Sequence, residues 1–145
     1  MKLQSCMTKD VKIASPAQSI GEAARMMKEI DAGFLPVSEN DRLVGMITDR
    51  DIAMRAVASD RGPDTPVRDI MSKEVLYCFE DEEISAAAQK MSQMQIRRMP
   101  VLNRDKHLVG IISLGDISHA GSEGKNCCGV ALSEITVHGG KHVQH

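Results

Sequence analysis

One pattern in this chain occurs twice, and a chain that repeats itself over most of its length has few ways to fold. Gly45-Met46-Ile47-Thr48-Asp49-Arg50-Asp51 returns 65 positions later as Gly110-Ile111-Ile112-Ser113-Leu114-Gly115-Asp116. Each copy is an apolar run, then a hydroxyl residue, then an aspartate three positions on. Upstream, Met7 matches Met71, Val11 matches Val75, Ile20 matches Ile84, Ala23-Ala24 matches Ala87-Ala88, Met27 matches Met91, and Pro36-Val37 matches Pro100-Val101, all 64 apart. From Leu43-Val44-Gly45 onward the offset is 65, so the turn around Asn103-Arg104-Asp105 carries one extra residue. A period this long exceeds any solenoid unit and marks two tandem copies of one small fold. They span 7–60 and 67–120, joined by a linker at 61–66 that holds Gly62-Pro63-Asp64-Thr65-Pro66. A tail, 121–145, is expected to be partly flexible. A copy of about 60 residues buries too little surface to stand comfortably alone, so a shared core is expected.

The elements of one copy follow from its periodicity. Residues 10–14 alternate in polarity and predict a short strand ending at Ser15-Pro16. Ser19-Ile20-Gly21-Glu22 is a capping box opening a helix whose buried stripe is Ile20, Ala23, Ala24, Met27 and Ile30, with Gly33 closing it. Residues 34–37 predict a strand in which Pro36 implies an edge or an interrupted ladder. Asn40-Asp41 is a turn, 43–47 a second strand, and 48–57 a helix with Ile52, Ala53, Ala56 and Val57 inward. The second copy repeats the order at 75–79, 84–94, 99–102 and 108–112, then a helix from Asp116. The fold class is mixed α/β (α+β), each copy running β-α-β-β-α.

Composition narrows the function. The net charge is −2 without a long single-sign run, and the aromatics are only Phe34, Phe79 and Tyr77, so neither a phosphate backbone nor stacked bases is suited. No apolar run reaches the roughly 18 residues of a membrane span, and Met1-Lys2-Leu3-Gln4-Ser5-Cys6 lacks a signal-peptide core. Four cysteines without a framework spacing predict reduced thiols in a cytoplasmic protein, with Cys6 and Cys78 as packing residues.

The doubled motif has two readings. A Thr or Ser followed three positions later by an acid caps a helix. The same pair at a helix start also presents a hydroxyl and a carboxylate to a nucleotide, and a carboxylate accepts two hydroxyl donors in charge-assisted bonds.

The wider layout resembles a known family. Met7-Thr8-x-x-Val11, Leu35-Pro36-Val37 and Leu43-Val44-Gly45-Met46-Ile47-Thr48-x-x-Asp51, with their second copies, are similar to the CBS domain, named from cystathionine β-synthase. Two in tandem resemble a Bateman module, and the resemblance covers residues 7–118. It implies two repeats packed through their sheets into one pseudo-twofold module that binds an adenosine ligand, such as AMP, ADP, ATP, S-adenosylmethionine or an NAD-type dinucleotide. By the resemblance, Asp51 and Asp116 hold ribose hydroxyls, with Thr48 and Ser113 beside them. Arg97-Arg98 precedes Met99-Pro100 where nucleotide-responsive members carry His-Arg, and two guanidinium forks suit a polyphosphate. The matching first-copy residues are Gly33-Phe34 before Leu35-Pro36, without charge, and the basic residues there are Arg50 and Arg55. The base-proximal strand position, usually Thr, is Ile13 in one copy and Tyr77 in the other, so two unequal sites are expected. The resemblance further implies an energy-sensing regulatory role, a homodimer and an unidentified effector protein, with no obligatory cofactor, nucleic acid or membrane.

Other classes fit less well. Gly-x-Ser-x-Gly, His-Glu-x-x-His, P-loop and dinucleotide fingerprints are missing, so the chain does not read as an enzyme. Glu80 to Glu83 read as the acidic first turn of a helix. Cys127-Cys128 with His138, His142 and His145 raises a metal or redox sensor, but adjacent cysteines seldom share one tetrahedral zinc, so no metal site is assigned. A structural module without ligand is the remaining alternative.

Overall fold

The computed structural model describes residues 1–121 and 124. It is a mixed α and β fold with a two-stranded sheet, β1-β2, and a three-stranded sheet, β3-β4-β5. The elements are α1 (Ile20–Ile30), β1 (Phe34–Glu39), β2 (Arg42–Thr48), α2 (Asp49–Asp51), β3 (Cys78–Phe79), α3 (Ile84–Met94), β4 (Arg98–Leu102), β5 (Leu108–Ser113) and α4 (Leu114–Ser118). The chain forms two compact units, one of Lys12–Val75 with Lys106–Leu108, the other of Met1–Val11, Leu76–Asp105 and the chain from Val109 on. We refer to them by their motifs, as the Thr48 unit and the Ser113 unit.

In the Thr48 unit, Ser19 Oγ accepts from the Glu22 N–H at 3.1 Å and starts α1. This helix buries Ile20, Ala23 and Met27. Ala24 and Ile30, expected in the stripe, face outward. The reason lies in the width of the sheet. α3, over the three-stranded sheet, buries Ile84, Ala87, Ala88 and Met91, whereas α1 has only two strands to cover. Gly33 does not close α1: Asp31 takes the left-handed conformation (φ 52°) and its N–H returns to Lys28 and Met27 carbonyls, as Gln95 (φ 55°) does for α3. Asp tolerates that region, so the helix ends without glycine.

β1 and β2 pair antiparallel, with Pro36 opposite Met46, across a turn where Asn40 (φ 54°) and Asp41 (φ 63°) are both left-handed. The strand expected at 10–14 contracts to one parallel bridge, Ala14 with Val37. The Ala14 N–H donates to Pro36 O at 2.9 Å, and the Ser38 N–H donates to Ala14 O at 3.0 Å. Extending that ladder backward needs an N–H from residue 36, and proline has none. Pro100 imposes the same limit in the other unit. The strand expected at 75–79 is reduced to Cys78–Phe79, opposite Val101 and Leu102. The interrupted ladder implied by Pro36 is therefore present twice.

After α2 the chain winds as a π turn over Ile52–Ala56 and a 3-10 turn over Val57–Ser59. The expected inner face is only half realised. Ala56 is buried and Ile52 half-buried, but Ala53 is exposed and Val57 is 65% exposed. The wider π turn rotates residues 53 and 57 off the face an α-helix would have given them.

The compact units and the sequence repeats divide the chain differently. Met7 and Thr8 cross β5 inside the Ser113 unit: Thr8 and Ile111 exchange both backbone hydrogen bonds at 2.9 Å. Ser72 and Met46 do the same in the Thr48 unit, at 2.8 and 2.9 Å. Each copy's leading Met-hydroxyl pair thus docks on the other copy's strand. Leu3, fully buried with Ile84, Met91, Met99, Ile112 and Ile117, anchors the first eleven residues there. The crossing requires glycine. A Cβ on Gly110 would stand 2.8 Å from Thr8 O, and one on Gly45 2.8 Å from Ser72 O. Gly110→Ala and Gly45→Ala should each cost about 1–3 kcal/mol, the range for overpacking, in denaturant unfolding. Unchanged midpoints for both would refute the crossing.

Candidate functional site

The repeated motif lands at the same place in both units, where an apolar strand runs into a short helix. Thr48 is the N-cap of α2: Asp51 N–H donates to Thr48 Oγ1 at 3.0 Å, and Thr48 N–H donates to Asp51 Oδ2 at 3.0 Å. Ser113 and Asp116 form the identical reciprocal pair at α4, both bonds again 3.0 Å. All four residues are half-buried. Capping uses one carboxylate oxygen of each aspartate. The other oxygen of Asp51 lies 3.8 Å from Arg55 Nε, while that of Asp116 has no hydrogen-bond partner among the described residues. So the capping reading holds, and it leaves a second carboxylate oxygen available for a ligand.

The other expected site residues divide between the units. With Thr48 and Asp51 stand Ile13, 43% exposed, half-buried Gly33 and Phe34, buried Leu35 and Pro36, and exposed Arg50 and Arg55. With Ser113 and Asp116 stand half-buried Tyr77, buried Met99 and Pro100, and exposed Arg97 and Arg98. Arg55 is already committed: its Nη1 donates to Ile70 O at 3.2 Å and reaches Met71 O at 3.5 Å. It ties the turn after the motif to the crossing segment, a positioning role the sequence did not disclose. Tyr77 packs edge-on against Phe79 with ring centroids 5.5 Å apart, and its carbonyl accepts from Lys90 Nζ at 2.9 Å.

A backbone bond joins each helix start to the strand before β1 or β4. The Asp49 N–H donates to Gly33 O at 2.8 Å, and the Leu114 N–H donates to Arg97 O at 3.0 Å. Gly33 and Arg97 occupy matching positions, as do Asp49 and Leu114. Sequence reading singled out Gly33 but passed over Asp49. Its signal was the alignment of an acid with a leucine inside the repeated motif.

Neither described thiol is poised for chemistry. Burial pushes Cys78 up to about 11. Burial raises Cys6 as well, with the Asp116 carboxylate adding to it. Both therefore stay protonated at neutral pH. No group of three or more potential metal ligands occurs among the described residues, and Cys127, Cys128, His138, His142 and His145 lie outside them. Among the described residues no helix is long and apolar enough to cross a membrane.

Three comparisons bear on this geometry. The sequence profile of the CBS domain matches residues 3–57 and 67–123. The CBS domain-containing protein YhcV of Bacillus subtilis is 40% identical over 134 residues, 92% of this chain and 94% of that one. Among solved structures, the CBS domain pair of protein MJ0100 in complex with 5′-methylthioadenosine and S-adenosyl-L-methionine superposes with a TM-score of 0.72 at 31% identity, over 83% of this chain and 92% of that one. CBSX2 in complex with AMP gives 0.73 at 25% identity, over 86% and 98%.

Because the capping boxes are structural in this ligand-free state, their removal should register as stability. Thr48→Ala and Ser113→Ala should each cost about 1 kcal/mol in chemical denaturation, the usual worth of an N-cap. Thr48→Ser and Ser113→Thr should restore most of it.

Proposed function

We propose, from the premise that this chain belongs to the CBS domain family, that it is a regulatory rather than catalytic module that binds an adenosine ligand and reports its occupancy to a partner. The observation carrying this reading is the doubled hydroxyl-carboxylate box, in a chain similar to two proteins solved with adenosine compounds. In each box one aspartate oxygen is used by the backbone. The other accepts the paired hydroxyls of a ribose, a charge-assisted contact that an uncharged nucleobase pocket alone would lack. Thr48 and Ser113 contribute hydroxyls beside it, and Arg97 and Arg98 supply two exposed cations for phosphate.

Signalling then works by population shift: a ligand that binds one arrangement of the module more tightly raises the share of that arrangement, which the partner reads. The module is proposed to act as a cytoplasmic homodimer with a separate effector protein.

The test is a thermal-shift and calorimetry series with AMP, ADP, ATP, NAD, S-adenosylmethionine and 5′-methylthioadenosine. A ligand at a hundred times its dissociation constant adds about 2.7 kcal/mol per site, a rise of several degrees for a domain of this size. Asp51→Asn and Asp116→Asn keep an oxygen for the cap but remove the charge facing the ribose. Each should weaken its own site by about 1.5–3 kcal/mol, the worth of a hydrogen bond to a charged group. No response to any adenosine compound, or unchanged affinity in both variants, would overturn the assignment.

A further inference from the structure

The two motifs share backbone geometry and differ in the charge that geometry displays. In the Thr48 unit the Asp49 carboxylate lies directly over Gly33. A Cβ at residue 33 would stand 2.7 Å from Asp49 Oδ2, 3.2 Å from Oδ1 and 3.1 Å from the carboxyl carbon. The carboxylate is fixed from its other side, where Oδ1 accepts from the Arg50 N–H at 2.8 Å. So glycine at 33 and the acid at 49 form one device: only a residue without a side chain leaves room for the carboxylate. In the Ser113 unit the same two positions hold Arg97 and Leu114. Leu114 is 6% exposed and turned into the core, which leaves space for a side chain at 97, and that side chain is a cation.

The surrounding charges sharpen the contrast. The first motif carries Asp49 and Asp51, and of its two arginines Arg55 is held by Ile70 O, Met71 O and Asp51, leaving Arg50. The second carries Asp116 with Arg97 and Arg98 exposed beside it.

We infer that Asp49, seated on Gly33, is a specificity-determining residue that turns the Thr48–Asp51 motif away from phosphorylated adenosine ligands. It favours uncharged or cationic ones, an adenosine thioether or sulfonium, while the Ser113–Asp116 motif takes the phosphorylated ligand. A fixed carboxylate repels phosphate and attracts a sulfonium, and two guanidinium groups do the reverse. The chain then answers two classes of adenosine compound at once, one per motif. This inference rests on the adenosine-binding reading above.

The experiment isolates one motif at a time. Asp116→Asn leaves the Thr48–Asp51 motif intact, and Asp51→Asn leaves the Ser113–Asp116 motif; each protein is titrated with AMP and with 5′-methylthioadenosine by calorimetry. The ratio of AMP to thioether affinity should be at least about tenfold higher in the Asp51→Asn protein, the scale of one partly screened charge contact. Adding Asp49→Asn to Asp116→Asn should raise AMP affinity by about tenfold at low salt and leave the thioether unchanged, because asparagine keeps the shape and the acceptor for Arg50 N–H. Asp49→Ser provides the same test with a smaller side chain. An AMP-to-thioether ratio that neither Asp49 variant moves would overturn this inference alone, since binding itself would still be seen. Failure of the unmodified protein to bind any adenosine compound would overturn both it and the reading beneath it.

Discussion

Two close backbone crossings, at Gly45 and Gly110, are the constraint on which the structure depends. At each, a methionine and the hydroxyl residue after it lie across a strand so tightly that a single methyl group would collide with a carbonyl oxygen. The crossings bring the first eleven residues into one unit and residues 70–72 into the other. Each unit's core is completed by chain that the sequence order assigns to the opposite repeat. Leu3, wholly buried against α3 and β5, illustrates the dependence: without the crossing at Gly110 it has no place in that core. Arg55 extends the same constraint to the motif, since its guanidinium holds the carbonyls of Ile70 and Met71 while facing Asp51.

Two prolines set the other boundary. Pro36 and Pro100 stand mid-strand, where the missing N–H cuts the parallel ladder back to Ala14 on one side and to Cys78–Phe79 on the other. A longer ladder would have bound residues 10–13 and 75–77 into regular strands. Instead Ile13 is exposed and Tyr77 half-buried, at the strand ends that the family pattern associates with the base of a ligand.

Structure and recognition use the same atoms at the motif. A capping box satisfies backbone donors with one oxygen of an aspartate and holds the side chain in one rotamer, so the second oxygen is presented without further ordering cost. A ligand-binding carboxylate that also caps its helix is preorganised by folding itself. Duplication supplied two such sites, and substitution at matching positions made them chemically distinct: glycine under an acid in one, arginine over a buried leucine in the other.

The sequence by itself determined the repeat, the order of helices and strands, the capping residues and the motif aspartates, because each depends on spacing over a few neighbours. Ser19, Thr48 and Ser113 cap where the pattern requires, and Asn40-Asp41 turns as its composition requires. Contacts between residues far apart in the chain were not legible in that way. The exchange of Met7-Thr8 and Met71-Ser72 between repeats, the outward turn of Ala24, Ala53 and Val57, and the end of α1 at Asp31 instead of Gly33 were decided in three dimensions. The reason is physical. Local hydrogen bonds are encoded by residues three or four apart, whereas burial and close approach depend on which distant backbone arrives at a surface. Only the tertiary structure brought Asp49 onto Gly33 and so gave one of two like motifs a charge of its own.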